Sequence, residues 1–147
     1  MKDIIIGSDH GGFALKEKLK IFLEKKGYKV KDAGCANQES CDYPEFAYAV
    51  AKEVSKGEFS RGILICKSGI GNSIAANKVK GVRAALCYNL KAAKLSRLHN
   101  DANLLVLGSI FVKEVLAKRM VSLWLATEFE GGRHLRRLKQ IEDIENR

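Results

Sequence analysis

The stretch Ile63-Leu64-Ile65-Cys66-Lys67-Ser68-Gly69-Ile70-Gly71-Asn72 decides the fold of this chain. Its first residues form a short, apolar, largely β-branched run, which is typical of a strand buried on both faces of a parallel sheet. A cysteine and a glycine-containing turn follow, and residues 73–78 then indicate the start of a helix. A strand, a tight turn and a helix start in succession direct several backbone N–H groups toward one point, where an anion or a developing oxyanion is stabilised.

Cys66 lies at that point, and its thiol has two interpretations. A positive local potential lowers the pKa of a thiol, which would make Cys66 a candidate nucleophile or base. The alternative is a buried cysteine at a strand end beside an ordinary βα turn, because short glycine motifs also occur by chance. The segment alone leaves both interpretations open.

Short apolar runs alternate with longer amphipathic stretches along the whole chain. This alternation predicts βαβ crossovers and a parallel sheet with helices on both faces. We therefore expect an α/β fold, a Rossmann-like three-layer α/β/α sandwich with a five-stranded parallel sheet. Strands are predicted at 3–8, 28–33, 62–66, 82–87 and 103–107, and helices at about 11–26, 44–56, 71–79, 89–98, 111–126 and 133–145.

The length of 147 residues predicts one domain, 1–147, with a single core. No apolar run approaches the roughly 20 residues that span a bilayer, so no membrane partner is expected. The chain begins with a strand-like Ile4-Ile5-Ile6 and lacks a signal-peptide pattern, which predicts a cytoplasmic protein. Its four cysteines are then expected to be thiols, and their spacings fit no common zinc pattern, so no metal site is predicted.

The formal net charge of +9 raises the question of a nucleic-acid partner. The sequence contains no aromatic-interleaved basic run that would stack on bases, so no such partner is expected. A tight basic cluster occurs only at Arg133-His134-Leu135-Arg136-Arg137, and a small anionic substrate explains it as well as a polyanion does. Many lysines alternate with apolar positions over the first helix and second strand and predict a solvated face: those at 16, 18, 20, 25, 26, 29 and 31.

Polar residues follow several of the predicted elements, and each has a functional and a structural interpretation. In open α/β sheets ligands bind at the carboxyl ends of the strands, which favours Asp9 and His10 as site residues. Asp9 could equally cap the first helix, and His10 could be a surface imidazole. His99 and Asn100 are of types that helix C-termini favour. Residues 133 and 137, both arginines, stand four apart and could hold a phosphate together or form a solvated helix turn.

Seven segments, in order over nearly the whole chain, resemble one family, the type B ribose-5-phosphate isomerases. That family also includes allose- and galactose-6-phosphate isomerases. The resemblance implies an aldose–ketose interconversion of a phosphorylated sugar through a cis-enediol, without a metal or an organic cofactor. The segments that carry it are 8–12, 42–44, 65–71, 73–78, 81–85, 96–103 and 130–134.

The resemblance also implies a role for individual residues. Cys66 matches the base that takes the proton next to the carbonyl, and His99 matches the residue that helps open the sugar ring. Asp9 matches a carboxylate that holds sugar hydroxyls and assists ring opening. The anion hole over the enediolate matches Lys67, Ser68, Gly69, Ile70 and Gly71, and Ser68 is the residue that contacts substrate oxygens. The phosphate contacts match His10, Arg133 and Arg137. Asn100 matches a polar contact to the sugar.

Members of the family are homodimers, some of which pair further, and their site lies at the subunit interface with residues from both chains. The helix at about 133–145, with Leu135, Leu138, Ile141 and Ile144 at helical spacing, could pack on its own domain or on another subunit. The resemblance places it at the dimer interface. The partners expected are therefore a sugar phosphate and a second copy of this chain.

Two positions depart from the family. Lys67 stands where the family usually has glycine, so its side chain needs room and its backbone must avoid glycine-only angles. A nearby ammonium would favour the Cys66 thiolate, whereas a solvated one would have little effect. Ile110 stands where many relatives have arginine, which leaves pentose or hexose preference open.

Ribose 5-phosphate is the expected substrate, and a six-carbon sugar phosphate handled by the same residues is the alternative. A nucleotide- or nucleic-acid-binding Rossmann-like module is disfavoured, because Gly69-Ile70-Gly71 lacks the third glycine of a dinucleotide fingerprint. A non-catalytic subunit of a heteromeric isomerase is disfavoured, because Cys66, His99 and Asp9 occur together.

Overall fold

The computed structural model describes residues 3–147, which build one sheet of five parallel strands. In chain order the strands are β1 (Asp3–Ser8), β2 (Lys29–Asp32), β3 (Arg61–Cys66), β4 (Ala84–Leu86) and β5 (Leu104–Gly108). Their order across the sheet is β2-β1-β3-β5-β4, and every neighbouring pair is parallel. The predicted five-stranded parallel sheet is therefore confirmed.

Six α-helices connect and follow the strands. They are α1 (Phe13–Lys25), preceded by a 3₁₀ turn at His10–Gly12, α2 (Tyr43–Ser55), α3 (Ile70–Ala76), α4 (Leu90–Leu98), α5 (Glu114–Ala126) and α6 (Arg133–Glu145). Over residues 3–147, no helix combines the length and the apolar character that crossing a bilayer requires.

The strands divide their side chains between two apolar layers, because successive side chains of a strand point to opposite faces. Ile4, Ile6 and Ile63 pack with α1, α4 and α5 on one face, where Trp124 is fully buried. Ile5 packs with α2 and α3 on the other face. The sheet is thus covered on both sides, as the apolar strand sequences predict, and the three-layer α/β/α sandwich is confirmed.

Two helix boundaries differ from the prediction by three residues. Helix α3 ends at Ala76 because Asn77 leaves the helix to pair with β4, donating to the Ala84 carbonyl and accepting from the Ala84 amide. Helix α5 begins at Glu114 because the amides of the two residues 111 and 112 both donate to the Gly108 carbonyl, which turns the chain tightly after β5. Side-chain and turn hydrogen bonds therefore override the apolar periodicity.

Lys16 corrects the expectation of a wholly solvated lysine face. Its side chain is fully buried, and its ammonium donates to the Asp32 carboxylate at 2.7 and 2.8 Å and to the Cys35 carbonyl at 2.8 Å. A buried ammonium is stable only when such partners replace its water shell. Lys16 thus ties α1 to the end of β2 and to the loop that follows.

Asp32 gives this ion pair a pH dependence. Burial would raise the pKa of the Asp32 carboxyl, but hydrogen bonds from Lys16, Lys20 and the Gly34 amide outweigh burial and hold that pKa below its ordinary value of 3.8. A carboxyl whose pKa is lower in the folded state stabilises the fold above its unfolded pKa, and loses that contribution as the pH falls through its folded pKa.

We predict that Asp32→Asn lowers the free energy of unfolding by about 3 kcal/mol at pH 7, because the buried Lys16 ammonium then keeps as counter-charge only the Glu17 carboxylate, which lies 3.3 Å away and is 40% exposed. Urea denaturation of wild type and variant at pH 7, and at acidic pH where both remain folded, measures the loss. The difference should shrink as the pH falls below about 4. Asp143→Asn, at an exposed carboxylate on α6, is the matched control. A difference equal at both pH values would contradict this assignment.

Candidate active site

The carboxyl ends of β1 and β3 lie side by side at the centre of the sheet. The chain leaves β1 toward β2 on one side, whereas β5 and β4 lie on the other side of β3. This is a switch point of strand order, where open α/β sheets form a ligand crevice. Asp9 follows β1 directly and Cys66 ends β3, so the sheet brings these two candidates to one crevice.

The turn after β3 wraps its amides around the Cys66 sulfur. The Gly69 N–H donates to Cys66 Sγ at 3.1 Å, and Gly69 adopts a φ of 83°, in the left-handed region that favours glycine. The Ser68 hydroxyl accepts from the Ile70 amide at 3.1 Å and so holds the first turn of α3. A Cβ on Gly71 would lie 2.4 Å from the Tyr43 ring, so any other residue there would have to displace that ring.

Opposing effects act on the pKa of the Cys66 thiol. Burial, the largest, raises it, and the nearby Asp9 carboxylate raises it further; hydrogen bonds from the amides of Asn72, Gly69 and Ser68 lower it. The net pKa lies above its ordinary value of 9.0. Of the two interpretations of the sequence, the one with a lowered thiol pKa does not hold for the single chain, because Cys66 is only 6% exposed and burial outweighs the amides.

Asp9 and His10 are both fixed by local hydrogen bonds. Asp9 Oδ1 accepts from the Gly12 amide at 3.1 Å, so Asp9 does cap the 3₁₀ turn, as its structural interpretation predicted. His10 Nδ1 accepts from the Cys41 amide at 3.2 Å. With Nδ1 accepting, the hydrogen of the His10 ring lies on Nε2, which is left to donate to an anion.

Lys67 finds room at the surface of the crevice. Its side chain is exposed, and its stem lies against Gly11, where a Cβ would come within 2.5 Å of Lys67 Cγ. Among residues 3–147, Asp101 is the one non-glycine residue with a positive φ, so the Lys67 backbone avoids glycine-only angles. Lys67 is thus tolerated in place of the family's glycine.

The other candidates lie at the opposite edge of the sheet, where the strands begin (the amino edge), and not where they end (the carboxyl edge). His99 and Asn100 follow α4 and precede the start of β5, whereas Cys66 pairs with Gly108 at its end. The four residue steps of β5 span about 13 Å. Arg133 and Arg137 lie in the first two turns of α6. The His134 ring, between them in sequence, stacks on the His99 ring, so this end of α6 lies beside His99. One chain therefore does not bring all the candidate residues together.

Helix α6 covers its own chain poorly. A cavity of about 1020 Å³ lies between it and residues 80–85 and 100–102, lined on the α6 side by Leu135, Leu138, Ile141 and Ile144. Three of these remain about half exposed, at 46% for Leu135, 51% for Ile141 and 59% for Ile144. The apolar face predicted for this helix is thus real and largely unpartnered by its own chain.

Comparison with known proteins shows the family of this chain. The Ribose/Galactose Isomerase family model matches residues 4–141. The chain belongs to this family. It is 48% identical to ribose-5-phosphate isomerase B of Escherichia coli over 100% of this chain and 99% of that protein. The structure of Clostridium thermocellum ribose-5-phosphate isomerase B superposes with a TM-score of 0.97 at 53% identity, covering 98% of this chain and 97% of that one.

A second solved structure is that of ribose-5-phosphate isomerase B from Mycoplasma genitalium with bound ribulose-5-phosphate. It matches with a TM-score of 0.94 at 44% identity and covers 98% of this chain and 96% of that one. The two structural matches cover nearly the full length of both chains, so the shared fold includes both edges of the sheet that carry the candidate residues.

Three residues at the two edges of the sheet were not predicted as site residues. Asn72 is fully buried, its amide donates toward Cys66, and its side-chain nitrogen and oxygen have no partner among the described residues. Glu130 and His134 contact His99. Glu130 and His134 lie inside one of the motifs that carry the resemblance, and Asn72 lies between two of them, but only the folded geometry distinguishes the three from their neighbours.

We predict that Lys67→Gly leaves the pH dependence of Cys66 alkylation unchanged. The amides and burial act on the Cys66 sulfur directly, whereas an exposed ammonium is screened by solvent. Iodoacetamide rates, followed by mass spectrometry of the Cys66 peptide across pH, provide the measurement. Cys41 in the same samples is the internal control. An onset of alkylation at lower pH in the wild type would show that Lys67 stabilises the thiolate.

Proposed function

We propose that this chain interconverts ribose 5-phosphate and ribulose 5-phosphate through a cis-enediol, with Cys66 as the base. The observation that carries this proposal is the Cys66 sulfur at the β1/β3 crevice, ringed by the amides of the following turn. Family membership and full-length similarity to ribose-5-phosphate isomerases B support the reaction and the substrate.

Each residue at the carboxyl edge supplies one requirement of the reaction. Proton abstraction beside a carbonyl needs a base within reach and donors aimed at the oxygen that becomes negative. Cys66 takes the proton, and the amides of residues 68–71 stabilise the enediolate, with the Ser68 hydroxyl on a substrate oxygen. Asp9 holds sugar hydroxyls, and His10 Nε2 donates to the phosphate.

The residues at the opposite edge supply the rest, from a second copy of the chain. His99 of the partner subunit transfers a proton in ring opening, and the partner's Asn100 contacts the sugar. The partner's Arg133 and the partner's Arg137 hold the phosphate. Both arginines are exposed and form no ion pair within residues 3–147, so their charge is available. This cationic pair compensates the phosphate charge near Cys66.

Two apolar surfaces favour a homodimer. Ile70, Ile74 and Phe111, which are 50%, 59% and 51% exposed, surround the crevice at the carboxyl edge. The apolar face of α6 lies at the other edge. A two-fold axis brings the first surface of each copy against the second surface of its partner and closes two identical sites. We propose this homodimer as the working unit of one 147-residue domain in the cytoplasm, and some family members pair dimers further.

The basic test is a coupled assay of purified protein on ribose 5-phosphate without added metal. We predict that Cys66→Ala lowers the turnover by at least about 10²-fold, the usual cost of losing a catalytic base. Cys87→Ala is the control, since burial raises the pKa of that thiol to about 11 and makes it unreactive. Near-normal turnover by Cys66→Ala would reject Cys66 as the base.

We predict that two inactive variants restore each other when mixed. Cys66→Ala and His99→Asn, co-expressed with different tags, form a mixed dimer in which one site combines the intact Cys66 of one copy with the intact His99 of the other. Each mixed dimer keeps one of its two sites, so dimers isolated by both tags should show about half of the wild-type activity, and the unfractionated random mixture about one quarter. Dimers isolated by both tags provide the measurement. Sites built within one chain would give no recovery, which would reject the shared site.

We predict that Arg137→Met raises the Michaelis constant by roughly 10- to 100-fold, the value of one charge-assisted contact of about 1.5–3 kcal/mol. Arg136→Met, an equally exposed arginine one position earlier on α6, is the matched control and should change it little. Inorganic phosphate should inhibit the wild type competitively. An unchanged Michaelis constant in Arg137→Met would assign this arginine to the solvated surface.

Six-carbon sugar phosphates are the alternative substrates, and Ile110 is the observation that favours testing them. Its amide donates to the Lys67 carbonyl, which places it beside the crevice, and it is 54% exposed. An apolar residue at this position cannot make the contact that an arginine makes. The same assay on allose and galactose 6-phosphates separates the two substrate classes.

A further inference from the structure

The side chains of His99, Glu130 and His134 form a cluster at the edge of the sheet where the strands begin. The Glu130 carboxylate lies 3.9 Å from His99 Nε2, and the His134 ring stacks on the His99 ring with centroids 4.3 Å apart and planes inclined by only 14°. His134 is buried, and its Nε2 has no hydrogen-bond partner among the described residues. Nothing in the reaction proposed above uses Glu130 or His134.

A metal ion is the first explanation that such a cluster suggests, since its ligand-type atoms lie within 4.8 Å of one another. The stacking disfavours it. An imidazole binds a metal along the lone pair of its nitrogen, which lies in the ring plane. The lone pairs of two nearly parallel rings do not meet at one point, so a shared ion would require one ring to turn. The adjacent Arg133 and Arg137 also repel a cation.

The surroundings of His134 favour its neutral form. Burial lowers the pKa of His134 below its ordinary value of 6.5, and the neighbouring His99, Arg133 and Arg137 lower it further, whereas Glu130 acts in the opposite direction. A neutral, flat and desolvated ring is a suitable platform for a second imidazole that carries a proton. His99, by contrast, is 37% exposed and faces the carboxylate of Glu130.

Hydrogen bonds to the residues on either side of His99 hold its backbone in place. The Glu130 amide donates to the Leu98 carbonyl at 3.0 Å, so the Glu130 segment is anchored to the end of α4. Arg97 donates to the Asp101 carboxylate and the Ala102 carbonyl, each at 2.7 Å, and thereby fixes the loop on the other side of His99. Only the side-chain torsions of His99 remain to be restricted, and Glu130 and His134 restrict them.

We propose that Glu130 and His134 are positioning residues that orient the His99 ring for proton transfer to the sugar ring oxygen. This inference rests on the proposed function. In ring opening the C1–O4 bond of ribose 5-phosphate breaks, O4 takes the proton of His99, and the C1 hydroxyl gives its proton to the Asp9 carboxylate of the other copy. Glu130 pairs with His99 Nε2 and His134 supports the ring face, so the proton on the remaining nitrogen, Nδ1, points to the substrate.

The direction of the reaction isolates this role. Ribose 5-phosphate is a ring that must open, whereas ribulose 5-phosphate is already open, because its 5-hydroxyl is esterified. In the reverse direction the open aldehyde can leave the enzyme and close its ring in solution. A variant impaired only in orienting His99 therefore loses turnover of ribose 5-phosphate and keeps consumption of ribulose 5-phosphate. A variant that is merely unstable loses both.

The experiment compares initial rates in both directions for Glu130→Gln, with Glu128→Gln as the matched control. Glu128 is an exposed carboxylate of the same segment and has no ion pair or side-chain hydrogen bond within residues 3–147. We expect Glu130→Gln to lose about tenfold or more in kcat on ribose 5-phosphate and less than about threefold on ribulose 5-phosphate, within the usual value of proton transfer by a placed residue. Glu130→Asp should recover part of the loss, and Glu128→Gln should lose nothing.

Two variants test the role of His134, one that keeps a flat ring at this position and one that removes it. His134→Phe keeps a flat ring under His99 and removes only nitrogens, of which Nε2 has no partner, so it should keep most of the activity in both directions. His134→Ala should show the same directional loss as Glu130→Gln. Thermal melting of each variant excludes a loss through unfolding.

Three results would overturn the inference. Equal losses in both directions for Glu130→Gln would make Glu130 a structural residue, and an inactive His134→Phe would assign a chemical role to its nitrogens. Inhibition of the wild type by micromolar zinc, relieved in Glu130→Gln, would identify a metal site instead. A wild type inactive in both directions would reject the proposed function itself, so the two failures are distinguishable.

Discussion

The parallel pairing of β3 with β1 and β5 is the constraint on which the rest of the structure depends. Ser8 lies opposite Ile65, and Cys66 lies opposite Gly108, so three strands end at nearly the same level. The ends are then joined by the residue after β5, Ser109, whose amide donates to the Cys66 carbonyl and whose hydroxyl donates to the Gly11 carbonyl. The crevice is therefore a rigid product of sheet register, with apolar layers on both faces holding that register.

The same register sends His99 to the far edge. In a parallel sheet every connection returns the chain to the amino ends, so residues that precede a strand and residues that follow one are separated by the strand length. His99 precedes β5, and Cys66 ends the neighbouring strand. A reaction that needs both groups within a few ångströms cannot be completed inside one chain of this topology. In our proposal, dimerisation is accordingly part of the catalytic apparatus.

The sequence predicts the elements of this fold well because nearly all strands are apolar runs between turn residues. It predicts less where side-chain hydrogen bonds between elements decide, as with the two by which Asn77 leaves α3 to pair with β4. Lys16 is a further example, since its burial depends on Asp32 and a loop carbonyl meeting at one point. For the site, the motifs predict which residue types take part, but the division of the candidate residues between the carboxyl and amino edges of the sheet follows only from the strand order. Glu130 and His134 carry no sequence signal beyond membership of a motif.

The turn after β3 also explains how one buried thiol differs from another. Burial raises the pKa of both Cys66 and Cys87, and at Cys87, where only a hydrogen bond from Ser96 opposes it, the pKa reaches about 11. At Cys66 three amides oppose burial, although they do not outweigh it. The backbone of the turn and of the start of α3 holds these amides toward the sulfur, so they require little reorganisation when negative charge develops. In our proposal, the cations that the second subunit contributes lower the remaining cost of forming the thiolate.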